Sequence, residues 1–362
     1  MKQAEMERKK NKRGYGIIDC DVHVRPKHSD EVRKYLDPKW YYRFGEQQVM
    51  ERDLFVHPIQ GVRMDSIPPS GLLPGADPDF LREQLINEYG IEHVVITHRA
   101  FVNPHPNAEY AAAKAAAYND WLAETWLGAY NHDGVFKGSI QIAQQDPVAA
   151  AREIERWAGH PHMVQVVADS GARLPFGNPV HDPIFEACQK HDLPFATHVG
   201  TDGMGINILA AVGYPSYYME WTSGKSIGYG VHLVSMLIEG VFERFPRLMV
   251  ALIEGGVAGY VPLLWRLDTL YERYRSEVPW LKRKPSEYVR EHVRITSQPI
   301  ERPDDDKQLI TMLRLLDAEH VLMFATDYPH WDFDSPKYAF PKLPEPLHRR
   351  IFYENAKEFY KL

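Results

Sequence analysis

Thiols are scarce in this chain of 362 residues, which has two cysteines, Cys20 and Cys188. Two cysteines cannot build a disulfide framework, which points to a reducing cytoplasm as the setting. Long hydrophobic runs are also missing. No stretch is apolar over the roughly 20 residues that a bilayer demands, so no membrane span is expected. Positive charge is in short supply: 42 Lys and Arg stand against 49 Asp and Glu, a formal net charge of −7. That balance gives no dominant basic surface and argues against a nucleic-acid partner. The single basic run, Arg8 to Arg13, has Glu5 and Glu7 beside it and no apolar segment behind it. It reads as a mobile, solvated tail over residues 1–14 ahead of one domain over 15–362, and not as a targeting signal. No linker, repeat or low-complexity segment divides the rest.

What the chain does have is apolar and aromatic material. Hydrophobic residues make up 44% and aromatics 12%, including 20 Tyr and 8 Trp, enough for a large core in one decorated domain. Short β-rich runs occur at 15–20, 93–97, 135–142, 163–168, 194–199, 248–253, 292–296 and 320–326. Helical patterns fall between them, the Ala-rich 108–129 most clearly, and Asp146-Pro147 and Asp182-Pro183 look like N-caps with Pro in the first turn. Eight strands that alternate with helices predict an α/β fold with a parallel sheet closed into a (β/α)8 TIM-like barrel; an open doubly wound sheet is the competitor. Two connections are long: about 24–79 after the first strand, and about 200–230 after the fifth, with Tyr214, Tyr217, Tyr218, Trp221 and Tyr229. Both would emerge at the C-terminal barrel face, where such folds keep their sites.

Polar residues gather at the strand ends. The first strand closes with Asp19-Cys20-Asp21-Val22-His23. Strict alternation puts Asp19, Asp21 and His23 on one face and Cys20 on the other. Carboxylates and an imidazole facing a barrel interior are costly unless they bind something, and a metal ion is the simplest compensation. The fifth strand ends in His198, the sixth in Glu254-Gly255-Gly256 and the eighth in Asp327. Taken singly, His198 reads as a core histidine, Glu254 as a helix-start carboxylate, and Asp327 is ambiguous. In a barrel all four ends meet at one mouth. Imidazole and carboxylate without thiolate suit Zn2+ or Mn2+.

These residues resemble the second amidohydrolase family, the amidohydrolase-related, aminocarboxymuconate-semialdehyde decarboxylase-like group. The likeness runs from about Ile17 to Leu362. It rests on Asp-x-Asp-x-His at 19–23, Thr197-His198, the stretch Leu237 to Pro246, Ile253-Glu-Gly-Gly256, Thr326 to Pro336 and Glu354-Asn355-Ala356. The resemblance implies a distorted barrel holding one divalent metal, with Zn2+ the first choice and Mn2+ the alternative, and commonly a homodimer acting on a small molecule. Carried onto this chain, the ligands are Asp21, His23, His198 and Asp327. The family's decarboxylases have a histidine where this sequence has Glu254, and His232 in the preceding helix is a candidate to replace it. Arg99, after the second strand, is placed to hold a substrate carboxylate, and Tyr218, Trp221 and His330 are placed to line a ring-binding mouth, with His98 and Trp331 as further candidates. The expected reaction is hydrolysis by a metal-activated water, with Asp327 or Glu254 carrying the proton. Non-oxidative decarboxylation of an aromatic or muconate-type acid is the second reading, and an inactive metal-binding barrel the third.

Overall fold

The computed structural model describes residues 14–44, 61–98, 100–103, 105–200 and 217–362. The basic tail up to Arg13, residue Arg99 and Tyr214 lie outside these residues, as does part of each long connection.

All eight anticipated strands form. They are β1 Ile17–Val22, β2 Ile91–Ile96, β3 Phe136–Gln141, β4 Met163–Asp169, β5 Phe195–His198, β6 Val250–Ile253, β7 Val293–Thr296 and β8 Leu322–Met323. Every neighbouring pair is parallel, in the order β1 to β8. The segment that continues β8 returns to β1: Cys20 N–H donates to Phe324 C=O at 3.0 Å, and Asp327 N–H to Asp21 C=O at 3.0 Å. The competing open sheet is thereby excluded, because the first strand has the eighth as its second neighbour.

The longer helices are α1 Ala108–Trp121, α2 Pro147–Trp157, α3 Asp182–His191, α4 Tyr218–Ile238, α5 Tyr260–Tyr274, α6 Pro285–His292, α7 Asp306–Leu315 and α8 Asn355–Tyr360. Asp146 caps α2 by accepting from Ala149 N–H at 2.9 Å. Asp182 differs from expectation: it is the first residue of α3, not its cap, and it pairs with Arg244 at 2.8 Å. The aromatic stretch read as loop up to residue 230 is helical from Tyr218 onward. Among the described residues no helix is long and apolar enough to cross a membrane.

The core has two layers. Ile18, Cys20, Val95, Ala196, Ala251 and Met323 cluster inside the barrel, with Phe359 and Tyr360 of α8 against them. Ile17, Val22, Ile91, Val94 and Ile96 belong instead to the larger cluster shared with the helices. Strict alternation along β1 therefore fails. Cys20 faces inward and so does the later pair Asp21 and His23, because the β1–β2 register shifts between Asp19 and Val22. That shift carries the end of the strand into the site and leaves Asp19 outside it.

Candidate metal centre

Five buried side chains converge at the C-terminal end of the barrel. Asp21, His23, His198, Glu254 and Asp327 each offer one ligand atom, and these atoms lie within 4.8 Å of one another. His198 Nε2 is 3.2 Å from both Asp21 Oδ2 and Glu254 Oε2. His23 Nε2 is 2.8 Å from Asp327 Oδ1, in a direction that serves no hydrogen bond. The two imidazoles meet edge to face, with centroids 4.9 Å apart.

Both rings are held from behind. His23 Nδ1 donates to Thr97 C=O at 2.6 Å and His198 Nδ1 to Val199 C=O at 2.7 Å. His23 Nε2 is thus left as the bare acceptor that a cation needs, and His198 Nε2 points into the same cluster, 3.2 Å from Asp21 Oδ2. The close approach of Gly75 to the His23 carbonyl, with φ at +79°, steadies the same strand end. Glu254 and Asp327 both sit at positive φ, +65° and +60°. A left-handed backbone costs a non-glycine residue about 1–2 kcal/mol. Here it turns both carboxylates off their strands and into the mouth.

The donor set fits a cation. Among the described residues, Asp21 Oδ1, His23 Nε2, Glu254 Oε2 and Asp327 Oδ2 are buried without a hydrogen-bond partner. Four orphaned acceptors in one small space would be strongly unfavourable unless a positive charge joins them.

Asp327 also accepts from His330 Nδ1 at 2.6 Å. Burial pushes the Asp327 carboxyl up, but the His330 and His23 rings outweigh it and hold the group well below its ordinary value. Asp19 does not join the five. It accepts from Thr326 N–H at 2.9 Å, from the Thr326 hydroxyl at 2.6 Å and from Asp21 N–H at 3.3 Å. Complete burial pushes its carboxyl up to about 7.

The other anticipated residues divide. His330 lies beside the cluster, its ring 4.5 Å from that of His23. Tyr218, Trp221 and Trp331 form an aromatic wall in which Trp331 Nε1–H donates to the Tyr218 hydroxyl at 2.9 Å. His98 is buried and engages Asn119 Oδ1 at 3.1 Å through Nε2. His232 is a correction. Its Nε2–H donates to Ser170 C=O at 2.7 Å and its Nδ1 accepts from Phe176 N–H at 3.3 Å. Burial lowers its pKa to about 4. With both nitrogens spent on the backbone after β4, it has no imidazole to lend to the site. Arg99 lies outside the described residues.

Lys225 and Asp332 were not anticipated. Lys225, on α4, pairs with Glu254; burial opposes its charge, but Glu254 and Asp332 outweigh that and hold the ammonium above its ordinary value. Asp332 is pushed up to about 7 by burial and then by Asp327. The signal for Lys225 was its spacing, four residues from Trp221 and from buried Tyr229, on the inward stripe of a helix.

An amidohydrolase family profile matches residues 18–362. The chain belongs to the amidohydrolase family. It is similar to the gamma-resorcylate decarboxylase of Polaromonas sp. strain JS666, at 26% identity over 297 residues, covering 78% of this chain and 86% of that protein. Among solved structures it resembles the 5-carboxyvanillate decarboxylase of Sphingomonas paucimobilis, with TM-score 0.68, 24% identity and coverage of 96% and 99%. It also resembles the 5-carboxyvanillate decarboxylase of Novosphingobium aromaticivorans in complex with manganese and 4-hydroxy-3-methoxy-5-nitrobenzoic acid, with TM-score 0.69, 20% identity and 97% coverage of each chain. These relatives overturn the expectation of hydrolysis: amidohydrolase membership extends to decarboxylases, and the three relatives just named are decarboxylases.

Proposed function

We propose that this enzyme of the amidohydrolase family is a metal-dependent, non-oxidative decarboxylase of a hydroxylated aromatic acid. The observation that carries the proposal is the likeness to gamma-resorcylate decarboxylase across 78% of the chain, in a protein whose strand ends assemble a five-residue cation site. Three carboxylates and two imidazoles form a hard, oxygen-rich set that favours Mn2+ over the four-donor geometry preferred by Zn2+. When bound, the ion supplies the positive charge that neutralises the carboxylates and draws in acidic substrate oxygens. Asp21, His23, His198 and Asp327 hold it, with Glu254 beside His198.

The aromatic wall of Tyr218, Trp221 and Trp331 receives the substrate ring. The reaction needs one proton on the ring carbon that bears the carboxylate. The bond to the carboxylate then breaks, its electron pair restores aromaticity, and CO2 departs. The Asp327–His330 pair is the proton store in this reading. At rest the proton stays on the imidazole, because Asp327 is held in its ionised form. Proton delivery draws it across that 2.6 Å contact to the carboxylate and on to carbon, while the other ring nitrogen of His330 takes a proton from solvent at the mouth, so the imidazole stays neutral.

The test is turnover of ortho-hydroxybenzoates by Mn2+-loaded protein in D2O. The expected result is one CO2 per turnover and one deuterium at the carbon that lost it. Consumption of a substrate with oxygen taken up from labelled water and no CO2 would overturn the proposal.

A further inference from the structure

Glu254, where the family resemblance leads one to expect a histidine, is paired in this chain with Lys225. We infer that the Lys225 ammonium is the acid-recognition group of this site, receiving the substrate carboxylate beside the cluster. The inference rests on the aromatic-acid reading above and adds the residue that selects for charge.

Three observations lead to it. Lys225 is buried, with a side-chain exposure of 5%. A lysine is rarely hidden to that degree without a charge to meet. Its ammonium has three donors, and among the described residues its hydrogen bond goes to Glu254 Oε1 alone. Two donors remain for a ligand. Its Nζ also lies 4.9 Å from the centre of the Trp221 ring, which fixes the charge against the aromatic wall. A ring seated on that wall would bring its carboxylate to the ammonium.

Charge balance points the same way. Asp21, Glu254 and Asp327 outweigh a divalent ion by one negative charge, which Lys225 offsets, and Asp332, whose carboxyl is pushed up to about 7, adds negative charge only as it ionises. Without it, an anionic substrate would meet a site of its own sign. A purely structural lysine would serve Glu254 equally well whatever the ligand. An acid-recognition lysine separates charged ligands from neutral ones of the same shape. Because the carboxylate leaves as neutral CO2, a grip on it acts mainly before the chemical step. The effect belongs in KM more than in kcat.

Isosteric pairs test this: salicylate against salicylamide, and 2,6-dihydroxybenzoate against 2,6-dihydroxybenzamide. Calorimetry with Mn2+-loaded full-length protein reads their affinities, and metal content is measured on each variant. The wild-type protein is expected to prefer each acid. In Lys225→Met the acids should weaken by about ten- to a hundredfold, the range of one charge-assisted hydrogen bond, while the amides stay within about twofold. Lys225→Arg should keep most of the preference. Should Lys225→Met not fold, the double variant Lys225→Met/Glu254→Gln removes both buried charges and should show the same loss of preference. Equal loss for acid and amide, or no loss for either, in a metal-loaded variant overturns the inference and leaves the decarboxylase reading standing. If neither the acids nor the amides bind the wild-type protein, the aromatic-acid reading fails and the inference falls with it.

Discussion

Replacing Asp19 by asparagine should stabilise the metal-free protein at alkaline pH and leave it almost unchanged in acid. Asp19 is completely buried, and its carboxyl is pushed from 3.8 up to about 7. The folded state therefore binds a proton that the unfolded state has already released between these values. Stability from this group is fully present below about pH 4, falls by about 1.4 kcal/mol per unit as pH rises, and is gone above about pH 7. The total is about 4 kcal/mol, good to about 1.4 kcal/mol. Asparagine mimics the protonated form at every pH. Its oxygen can take the N–H groups of Thr326 and Asp21, and its amide can donate to the Thr326 hydroxyl, which already accepts from Tyr328 N–H at 3.2 Å. Allowing about 1 kcal/mol for the remade hydrogen bonds, Asp19→Asn should gain about 3 kcal/mol at pH 8 and differ little at pH 4. The assay is urea unfolding of chelator-dialysed protein at several pH values, since a cation beside Asp21 would itself favour the ionised form. A difference that does not change with pH, or a variant less stable than wild type at pH 8, refutes the reasoning.

His232→Ala should leave Ser170 C=O and Phe176 N–H without their imidazole partner, at a cost of about 1–3 kcal/mol per group, yet metal content by mass spectrometry should match wild type. Gly75→Ala would place a Cβ 2.6 Å from the His23 carbonyl oxygen at a φ of +79°; the strand end must move, and chelator competition should show metal affinity weaker by about tenfold or more. His330→Gln should retain the metal and lower kcat by about 10²- to 10⁴-fold, whereas a loss confined to KM would remove His330 from the proton path.

The barrel was legible because its signals are local and repeated. The strands are short, mostly apolar runs; β5 ends in His198, β1 and β6 run directly into His23 and Glu254, the segment after β8 reaches Asp327, and parallel strands place all such ends at one face. His198, Glu254 and Asp327 could be paired with Asp21 and His23 on that topology alone. What failed depended on distant partners. Alternation misplaced Asp19 because the register shift in β1 is set by pairing with β2. His232 looked like a spare imidazole because its partners, Ser170 and Phe176, lie about 60 residues earlier in the sequence. Lys225 was hidden in a stretch read as loop, and its charge acquired meaning only when α4 brought it to Glu254. The reaction was the least legible part, since the same strand-end set serves both hydrolysis and decarboxylation.

Four separate parts of the chain, the ends of β1, β5, β6 and β8, converge on one proposed cation site. Anomalous diffraction at the manganese edge from crystals grown with Mn2+ tests it directly. One dominant peak is expected among Asp21, His23, His198, Glu254 and Asp327, within about 2.5 Å of both imidazole Nε2 atoms, and its loss in His23→Ala. A peak elsewhere, or full-occupancy density in His23→Ala, would contradict it.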